Sequence, residues 1–348
     1  MLNFYFEAER MKYPRTGIYE YCAQLGRSLV RQLRAEESLV FYAPPDLRFE
    51  WGDGIRSIPQ RSWHRLHVPR QRKASAWHST YQETRYMPRW PVPRILTVHD
   101  LNFRYEPRSR RSLQRHRDRV LRNVSRADHI VAISKFVAAD IAENLSFSGA
   151  PVEVIYNGCD VEYDKAFDEP RYRPSRPFCF TVGPTIPKKN FHVLPGLLRG
   201  NDLELVIAGS MRDAYTDRIR DEARRHGVTD RVKIIGSVSH EEKFWYYRNC
   251  SAFLFPSIAE GFGLPVIEAM HFGKRVFLSD RTSLPEVGGR FASYFRSFDP
   301  DAMSEVFDRA MSAEQTPSDV QAIVEHAASF NWQSSASKYL DLYRRIAA

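Results

Sequence analysis

Short apolar runs recur along the chain, and helical patterns lie between most of them. The runs that we interpret as strands cover residues 94–98, 129–133, 152–155, 178–182, 204–208, 232–235, 252–255 and 275–278. Short, mainly apolar runs are typical of parallel strands that are buried on both faces. Because helices separate these strands, the sequence predicts an α/β fold of doubly wound parallel sheets, in which binding sites lie at the carboxyl ends of the strands.

The chain has 348 residues, which exceeds one ordinary hydrophobic core and predicts two domains. A polar, proline-containing stretch within residues 166–177 is the predicted linker between them. The sequence has no apolar run long enough to span a membrane, and Glu7 stands where a signal peptide would be apolar. The four cysteines are scattered without metal-ligand spacing, which favours reduced, buried thiols in a cytoplasmic protein.

The most specific local feature is a pair of carboxylates, Glu260 and Glu268, with two glycines and Pro265 between them. Pro265 suits the first position of a helix, so we expect Glu260 in the loop before that helix and Glu268 in its first turn. The N–H groups at a helix N-terminus attract phosphate, and carboxylates on either side of a diphosphate accept hydrogen bonds from sugar hydroxyls. The segment therefore predicts a nucleotide-sugar site. The alternative is a structural loop and buried helix that the two acids help to cap.

The residues around Glu260, with Pro256 and Ser257 before it and Gly-Phe-Gly-Leu-Pro after it, resemble the signature of the retaining GT-B glycosyltransferases of family 4. Other segments are similar to motifs of that family, in the same order along nearly the whole chain: residues 96–103, 127–136, 154–160, 181–190, 284–289 and 330–332. The resemblance implies the GT-B architecture, which is two Rossmann-like domains facing a cleft. It implies an acceptor-side domain at residues 1–165, a nucleotide-sugar domain at 178–329 and a C-terminal helix at 330–348 that crosses back to the first domain.

The resemblance also assigns roles to individual residues. Glu260 would hold hydroxyls of the transferred sugar, Lys189 would neutralise the donor diphosphate, and His99 would position the substrate by hydrogen bonding. A histidine after a strand also occurs as a purely structural residue, so that alternative stays open. The donor-binding candidates are Gly17, Lys188, Ser237, Val238, Phe262, Gly263, Leu264 and Glu268, the last of them on the ribose.

Two positions depart from the family pattern. The family usually has a glycine-rich loop before its first helix, whereas this chain keeps a single glycine there, Gly17. Pro184 stands where some members have an arginine, which leaves more of the phosphate neutralisation to Lys189.

The net positive charge of the chain comes entirely from its first part. Residues 1–150 hold 26 Lys and Arg against 15 Asp and Glu, and the remainder holds 25 against 27. Basic runs lie at residues 61–73 and 108–122. Trp63 and Trp77 flank the first run, which suits an interfacial loop, and the second run is spaced as an amphipathic helix. This pattern favours either a solvated basic face or attraction to an anionic membrane surface or a polyprenyl-diphosphate acceptor. The sequence shows no nucleic-acid-binding motif.

The motifs at residues 99–101 and 283–289 look most like those of bacterial polysaccharide mannosyltransferases. The expected function is therefore retaining, metal-independent transfer of a hexose to a growing surface polysaccharide or lipid-linked oligosaccharide. GDP-mannose is the favoured donor and a UDP-sugar the alternative, with no further cofactor. Asp299-Pro300-Asp301 is interpreted as a surface turn. Two other functions remain open, a nucleotide-sugar 2-epimerase of GT-B fold and a catalytically silent sugar- or lipid-binding relative. The expected location is the cytoplasm or the inner face of the plasma membrane.

Overall fold

The computed structural model describes residues 1–14, 16–45, 47, 55–105, 109–147, 149–161 and 169–348. The chain divides into two compact units. The first holds Met1–Gly158 and Phe330–Ala348, and the second holds Cys159–Ser329. The predicted boundary at residue 165 lies among residues 162–168, outside the described part of the chain.

Parallel strands form the centre of the first unit. They are β1 (Leu2–Glu7), β2 (Glu37–Ala43), β3 (Arg56–Pro59), β4 (Ala76–Ser79), β5 (Arg94–Val98), β6 (His129–Ala132) and β7 (Val152–Val154). Within the described residues they form one sheet in the order β3-β2-β1-β4-β5-β6-β7. The helices are α1 (Gly17–Arg31), α2 (Arg110–Val124), α3 (Lys135–Asn144) and the C-terminal helix (Trp332–Ala347), with 3₁₀ turns at Glu9–Lys12, Ser62–Arg65 and Asn102–Arg104.

Strand β1 shows why this sheet is covered on both faces. Phe4 and Phe6 pack into one core with Tyr339 of the C-terminal helix, whereas Tyr5 packs with Trp77 in a second core. Successive side chains of a strand point to opposite faces, so an apolar run without alternation requires two cores. The C-terminal helix is further held by a hydrogen bond of 2.6 Å between His78 Nδ1 and the Tyr343 hydroxyl.

The second unit repeats the architecture. Its strands are β8 (Phe178–Val182), β9 (Glu204–Ala208), β10 (Val232–Gly236), β11 (Ala252–Phe255), β12 (Arg275–Ser279) and β13 (Ala292–Phe295), in the order β10-β9-β8-β11-β12-β13. Its helices are α4 (Asp213–Arg225), α5 (His240–Asn249), α6 (Leu264–His271), α7 (Leu284–Gly288), α8 (Pro300–Ser312) and α9 (Pro317–Ala328). Shorter 3₁₀ turns lie at Pro187–Lys189, Phe191–Val193, Pro195–Leu198, Thr229–Arg231 and Gly289–Phe291.

The predicted α/β fold with two parallel, Rossmann-like sheets is confirmed. Each of the eight predicted strands is present, with bounds that differ by at most one residue. The part of the predicted linker that the structure describes, residues 169–177, is attached to the second unit. There the Arg171 side chain donates to Glu242 at 3.2 Å, and the Ser175 hydroxyl donates to Glu204 at 2.9 Å.

Three local expectations are corrected. Trp77 lies in β4 and is fully buried, because the strand places it between Tyr5 and Trp90; of the two tryptophans only Trp63 is exposed. Asp299 is the N-cap of α8 and not a turn residue, since its carboxylate accepts from two N–H groups of that helix. Helix α2 begins at Arg110, and the predicted first residue, 108, lies outside the described part.

The four cysteines are free and buried, as expected. Among the described residues, no helix is both long and apolar enough to cross a membrane.

Candidate active site

Nine of the eleven predicted site residues lie in the loops that follow the strands of the second unit or at the start of helix α6. Lys188 and Lys189 follow β8, Ser237 and Val238 follow β10, and the segment from Glu260 to Glu268 follows β11. Parallel strands end at one edge of the sheet, which is the edge where open α/β sheets bind ligands. The remaining two residues, Gly17 and His99, belong to the first unit.

The structure brings Lys189 and Glu260 into direct contact. Lys189 Nζ lies 2.5 Å from Glu260 Oε1, and the two side chains are only 11% and 14% exposed. The Ser257 hydroxyl donates to the same carboxylate oxygen at 2.5 Å, and the ammonium also lies 4.6 Å from the centroid of the Phe255 ring. A charged pair this far from water is held by several contacts at once, so the lysine is positioned before any ligand arrives.

Lys188 contributes through its main chain. Its carbonyl accepts a hydrogen bond of 3.0 Å from the Ser257 hydroxyl and one of 2.8 Å from the Ile258 N–H. These bonds tie the loop after β8 to the loop after β11. They hold the backbone in the position from which the neighbouring Lys189 side chain reaches Glu260.

The loop after β12 supports the Glu260 backbone, which the sequence analysis missed. The Glu260 N–H donates to the Thr282 hydroxyl at 3.1 Å, and the Ser283 hydroxyl donates to the carbonyls of Glu260 and Phe262 at 3.0 and 2.9 Å. Thr282 has a φ of 54°, which is rare for a β-branched residue and marks local strain. A threonine in sequence gives no sign of this conformation.

Helix α6 begins directly after this loop, with Gly263 at its N-cap and Leu264 as its first residue. Gly263 has a φ of 112°, and an added Cβ would lie 3.0 Å from Leu284 Cδ2, so a glycine is required here. A glycine N-cap offers no side-chain acceptor to the first-turn N–H groups, and such groups attract phosphate oxygens. Pro265 follows at the start of the helix, as predicted.

Glu268 is the fifth residue of α6, just past the first turn in which it was predicted, because the helix already begins at Leu264. Its carboxylate accepts hydrogen bonds of 2.6 Å from Lys243 Nζ and 2.8 Å from the Tyr247 hydroxyl, both on α5. Burial by itself would raise the pKa of Glu268, but Lys243 and the Tyr247 hydrogen bond outweigh it and lower the pKa. Glu268 is therefore an ionised acceptor at neutral pH, with lone pairs left for hydroxyl donors. The sequence analysis did not identify Lys243 or Tyr247, since neither forms a motif with Glu268.

A cavity of about 210 Å³ is lined in part by Val238, one of the predicted donor-binding residues. Its walls are Arg171, Tyr172, Ile235, Val238, Glu242 and Tyr246. Arg171 Nη2 donates to the Ser237 carbonyl at 2.7 Å, which holds the chain after β10 against the residues that precede β8.

His99 follows β5 in the first unit and is 5% exposed. Its Nε2 lies 2.7 Å from the Thr80 carbonyl, which can only accept, so Nε2 carries the hydrogen and Nδ1 is an acceptor. Burial lowers the pKa of His99 to about 4, with a smaller contribution from the charge of Arg10. The ring is therefore neutral at physiological pH, and it suits hydrogen bonding to a hydroxyl better than proton transfer.

Gly17 is the first residue of α1, and the neighbouring Thr16 caps that helix by accepting from the Tyr19 N–H. An added Cβ at Gly17 would meet nothing within 4 Å. Within the described residues, no group of three or more His, Cys, Asp and Glu side chains is placed to hold a metal ion.

Two family models match consecutive parts of the chain. The model described as Glycosyltransferase Family 4 matches residues 73–163, and the model described as Glycosyl transferases group 1 matches residues 163–327. With the two parallel sheets, these matches define a glycosyltransferase of GT-B fold. The chain resembles family 4 of these enzymes, and its curated relatives include bacterial O-antigen mannosyltransferases.

Two of those relatives are from Escherichia coli. The serotype-specific mannosyltransferase WbdA is 28% identical over 65% of this chain, but the match covers only 30% of WbdA. O-antigen chain mannosyltransferase B is 23% identical over 99% of this chain and 100% of its own length.

Solved structures show the same fold. Sucrose-phosphate synthase from Thermosynechococcus elongatus has a TM-score of 0.76 at 18% identity, with 99% of each chain covered. Anabaena Alr3699/HepE, solved in complex with UDP and glucose, has a TM-score of 0.71 at 15% identity, covering 98% of this chain and 99% of that one.

Proposed function

We propose that the protein transfers a hexose, with mannose favoured, from a nucleotide-diphosphate sugar to a growing bacterial surface polysaccharide or lipid-linked oligosaccharide, with retention at the anomeric carbon. The observation that carries the proposal is the arrangement after β11. Glu260, the N-terminus of α6 and the ionised Glu268 lie along one short segment after β11, and Lys189, from the loop after β8, pairs with Glu260. This arrangement combines positive and N–H groups for a diphosphate with carboxylates for hydroxyls.

Each group has a chemical role in the proposed reaction. Lys189 and the first N–H groups of α6 bind the diphosphate and stabilise the negative charge that develops on the leaving group. Glu260 orients the sugar through its hydroxyls, Glu268 binds the ribose, and neutral His99 accepts from a substrate hydroxyl through Nδ1. The acceptor hydroxyl attacks from the face that the diphosphate leaves, and a departing phosphate oxygen takes its proton.

Breaking the existing ion pair is part of donor binding in this proposal. In the structure Lys189 contacts Glu260, whereas the bound donor requires Lys189 on phosphate and Glu260 on sugar hydroxyls. A diphosphate carries more charge than one carboxylate, so it competes well for the ammonium group. The released Glu260 is then free to accept from the sugar.

The proposed donor is GDP-mannose, because two relatives with long matches are named as mannosyltransferases. A UDP-sugar is the alternative, since a neighbour of the same fold was solved with UDP and glucose. The metal-independent character and the cytoplasmic or peripheral membrane location are parts of the same proposal.

The deciding experiment compares donors first and then follows the product. A thermal-shift panel of GDP, UDP, ADP and their sugars identifies the nucleotide, since a ligand at about 100 times its Kd stabilises by roughly 2.7 kcal/mol. The selected donor is then incubated with and without polyprenyl-diphosphate oligosaccharide, with chelator present, and the product is examined by NMR. A glycoside with the donor's anomeric configuration is expected. Epimerised donor in the absence of acceptor, or binding without any turnover, would contradict the proposal.

A further inference from the structure

A second cavity, of about 270 Å³, lies in the first unit and plays no part in the proposed transfer. The 3₁₀ turn Ser62–Arg65, the segment at residues 83–89 and the last part of α2 enclose it. Six arginines line it, and we call it the arginine pocket: Arg65, Arg85, Arg89, Arg119, Arg122 and Arg126.

Acidic side chains do not balance these arginines. Glu83 is the single carboxylate among the described lining residues, and it already accepts from His116 at 2.9 Å and from Arg119 at 3.5 Å. The pocket therefore keeps a large positive excess.

Two of the arginines are held in place by neutral acceptors. Arg65 Nε donates to the Tyr86 hydroxyl at 3.1 Å, and Arg126 Nη2 donates to the carbonyls of Met87 and Pro88 at 3.2 and 2.8 Å. Such contacts orient the guanidinium groups without neutralising them. Burial and the nearby charges of Arg89, Arg94 and Arg122 lower the pKa of Arg126, as expected where like charges converge.

The other arginines leave donors for a ligand. Within the described part of the chain, Arg85, Arg89 and Arg122 form no hydrogen bond or ion pair with a carboxylate. A guanidinium group offers paired N–H donors that match two oxygens of a phosphate, and clustered arginines gain most from a ligand that carries more than one negative charge. A bound anion of this kind would reduce the charge repulsion among the arginines.

We propose that the arginine pocket is a phosphate-binding site, distinct from the donor site of the second unit, for the phosphate of a lipid headgroup or of a soluble phosphate compound. Two apolar side chains beside it favour the lipid. Trp63 is 54% exposed and Leu66 is 79% exposed, and both belong to or adjoin the 3₁₀ turn that lines the pocket. Exposed tryptophan and leucine next to phosphate-binding arginines suit the boundary between headgroups and acyl chains.

A pair of double variants separates this site from general electrostatic attraction. Arg89→Gln/Arg122→Gln removes two exposed arginines of the pocket, and Arg110→Gln/Arg117→Gln removes two exposed arginines of α2 that do not line it. Both change the net charge by the same amount. Matching thermal unfolding midpoints for the two full-length proteins establish that both are folded.

Binding is measured with two probes at low salt. Calorimetry with inorganic pyrophosphate tests a soluble phosphate, and sedimentation with phosphatidylcholine vesicles, with or without phosphatidylglycerol, tests a headgroup. In at least one arm we expect the pocket variant to bind roughly tenfold or more weakly than the control variant, as the loss of a charge-assisted contact predicts. Loss in the vesicle arm alone identifies a headgroup site, and loss with pyrophosphate identifies a site that also takes soluble phosphate. Equal weakening in both variants, or no binding of either probe to the unmodified protein, overturns the proposal.

Discussion

Lys189 and Lys188 are adjacent lysines, and a comparison of the two tests the proposed diphosphate site. The Lys189 ammonium is in contact with Glu260, while Lys188 fixes the loop through its carbonyl, which any residue supplies. We expect Lys189→Ala to lower kcat/KM by about 10- to 100-fold, the value of one charge-assisted contact of roughly 1.5–3 kcal/mol. Lys188→Ala is the matched control and should change kcat/KM much less. Steady-state kinetics that rank the two variants in the opposite order would place the diphosphate contact on Lys188.

Substitution of Glu260 and substitution of Glu268 are predicted to affect different steps of the reaction. Glu268→Ala should mainly weaken binding of the nucleoside diphosphate, because a ribose contact is present before and during the reaction. Glu260→Ala should lower turnover more than it weakens binding of the nucleoside diphosphate, because that ligand lacks the hydroxyls of the transferred sugar. Isothermal titration and steady-state kinetics measure the two effects, with Glu305→Ala, an exposed residue of α8, as the control. Equal loss of nucleotide affinity in both variants would refute the division of roles.

Glu7, at the end of β1, makes the stability of the first unit depend on pH. Burial raises the pKa of Glu7 to about 7, and the charge of Glu9 adds to this, while hydrogen bonds from Thr84 and Gln60 act in the opposite direction. The folded protein therefore keeps a proton that the unfolded chain releases near its ordinary pKa of 4.5. The free energy of unfolding should fall as the pH rises between these two pKa values, by roughly 1.4 kcal/mol for each pH unit.

Glu7→Gln tests this sign. The amide cannot ionise, and the Thr84 hydroxyl can accept from it, so the variant should lose less stability than the unmodified protein between about pH 5 and about pH 8. Thermal unfolding at the two pH values is the measurement. The exposed Glu36→Gln should behave as the unmodified protein. An unchanged pH dependence in Glu7→Gln would show that Glu7 is ionised throughout.

At the scale of elements, the turns after β8 and β9 approach each other so closely that the first residue after β9, Gly209, has no room for a side chain. An added Cβ at Gly209 would lie 2.0 Å from the Gly183 carbonyl oxygen, and the φ of Gly209 is 136°. Gly209→Ala should therefore destabilise the second unit by several kcal/mol, because backbone and not a flexible side chain has to move. Gly227→Ala is the control, since its φ is 69° but nothing lies within 4 Å of the added carbon. It should cost only about 1–2 kcal/mol. Thermal unfolding midpoints that fall equally in the two variants would contradict the steric explanation.

At the scale of the whole molecule, the basic excess of residues 1–150 predicts attraction to an anionic membrane surface. Each Lys or Arg near such a surface contributes about 1 kcal/mol, and the surface potential decays within a Debye length of about 8 Å at physiological salt. We expect sedimentation with phosphatidylglycerol vesicles that weakens steadily as salt is raised, and little sedimentation with neutral vesicles. Equal binding to both kinds of vesicle, or none to anionic vesicles at low salt, would favour a soluble acceptor.

The sequence by itself determined eight of the thirteen described strands, the parallel α/β class and the family resemblance, whereas strands β1 to β4 and β13 were not predicted. Buried parallel strands are short, mainly apolar runs, and such runs can be recognised in the sequence without knowledge of the fold. The loop and helix between Glu260 and Glu268 could also be predicted, because glycine and proline at a loop-to-helix junction indicate the backbone conformation there. The start of α6 was still misplaced by one residue, at Pro265 instead of Leu264, since helix ends depend on local capping.

Only the tertiary structure decided which side chains meet. The pairing of Lys189 with Glu260 spans 71 residues, and that of Lys243 with Glu268 spans 25. Neither separation has a period that sequence can reveal, because each contact depends on how separate loops and helices pack together around the sheet. The burial of Trp77, the raised pKa of Glu7 and the convergence of six arginines on one pocket have the same origin. The burial and the electrostatic environment of a side chain depend on its neighbours in space, and the tertiary fold determines which residues those are.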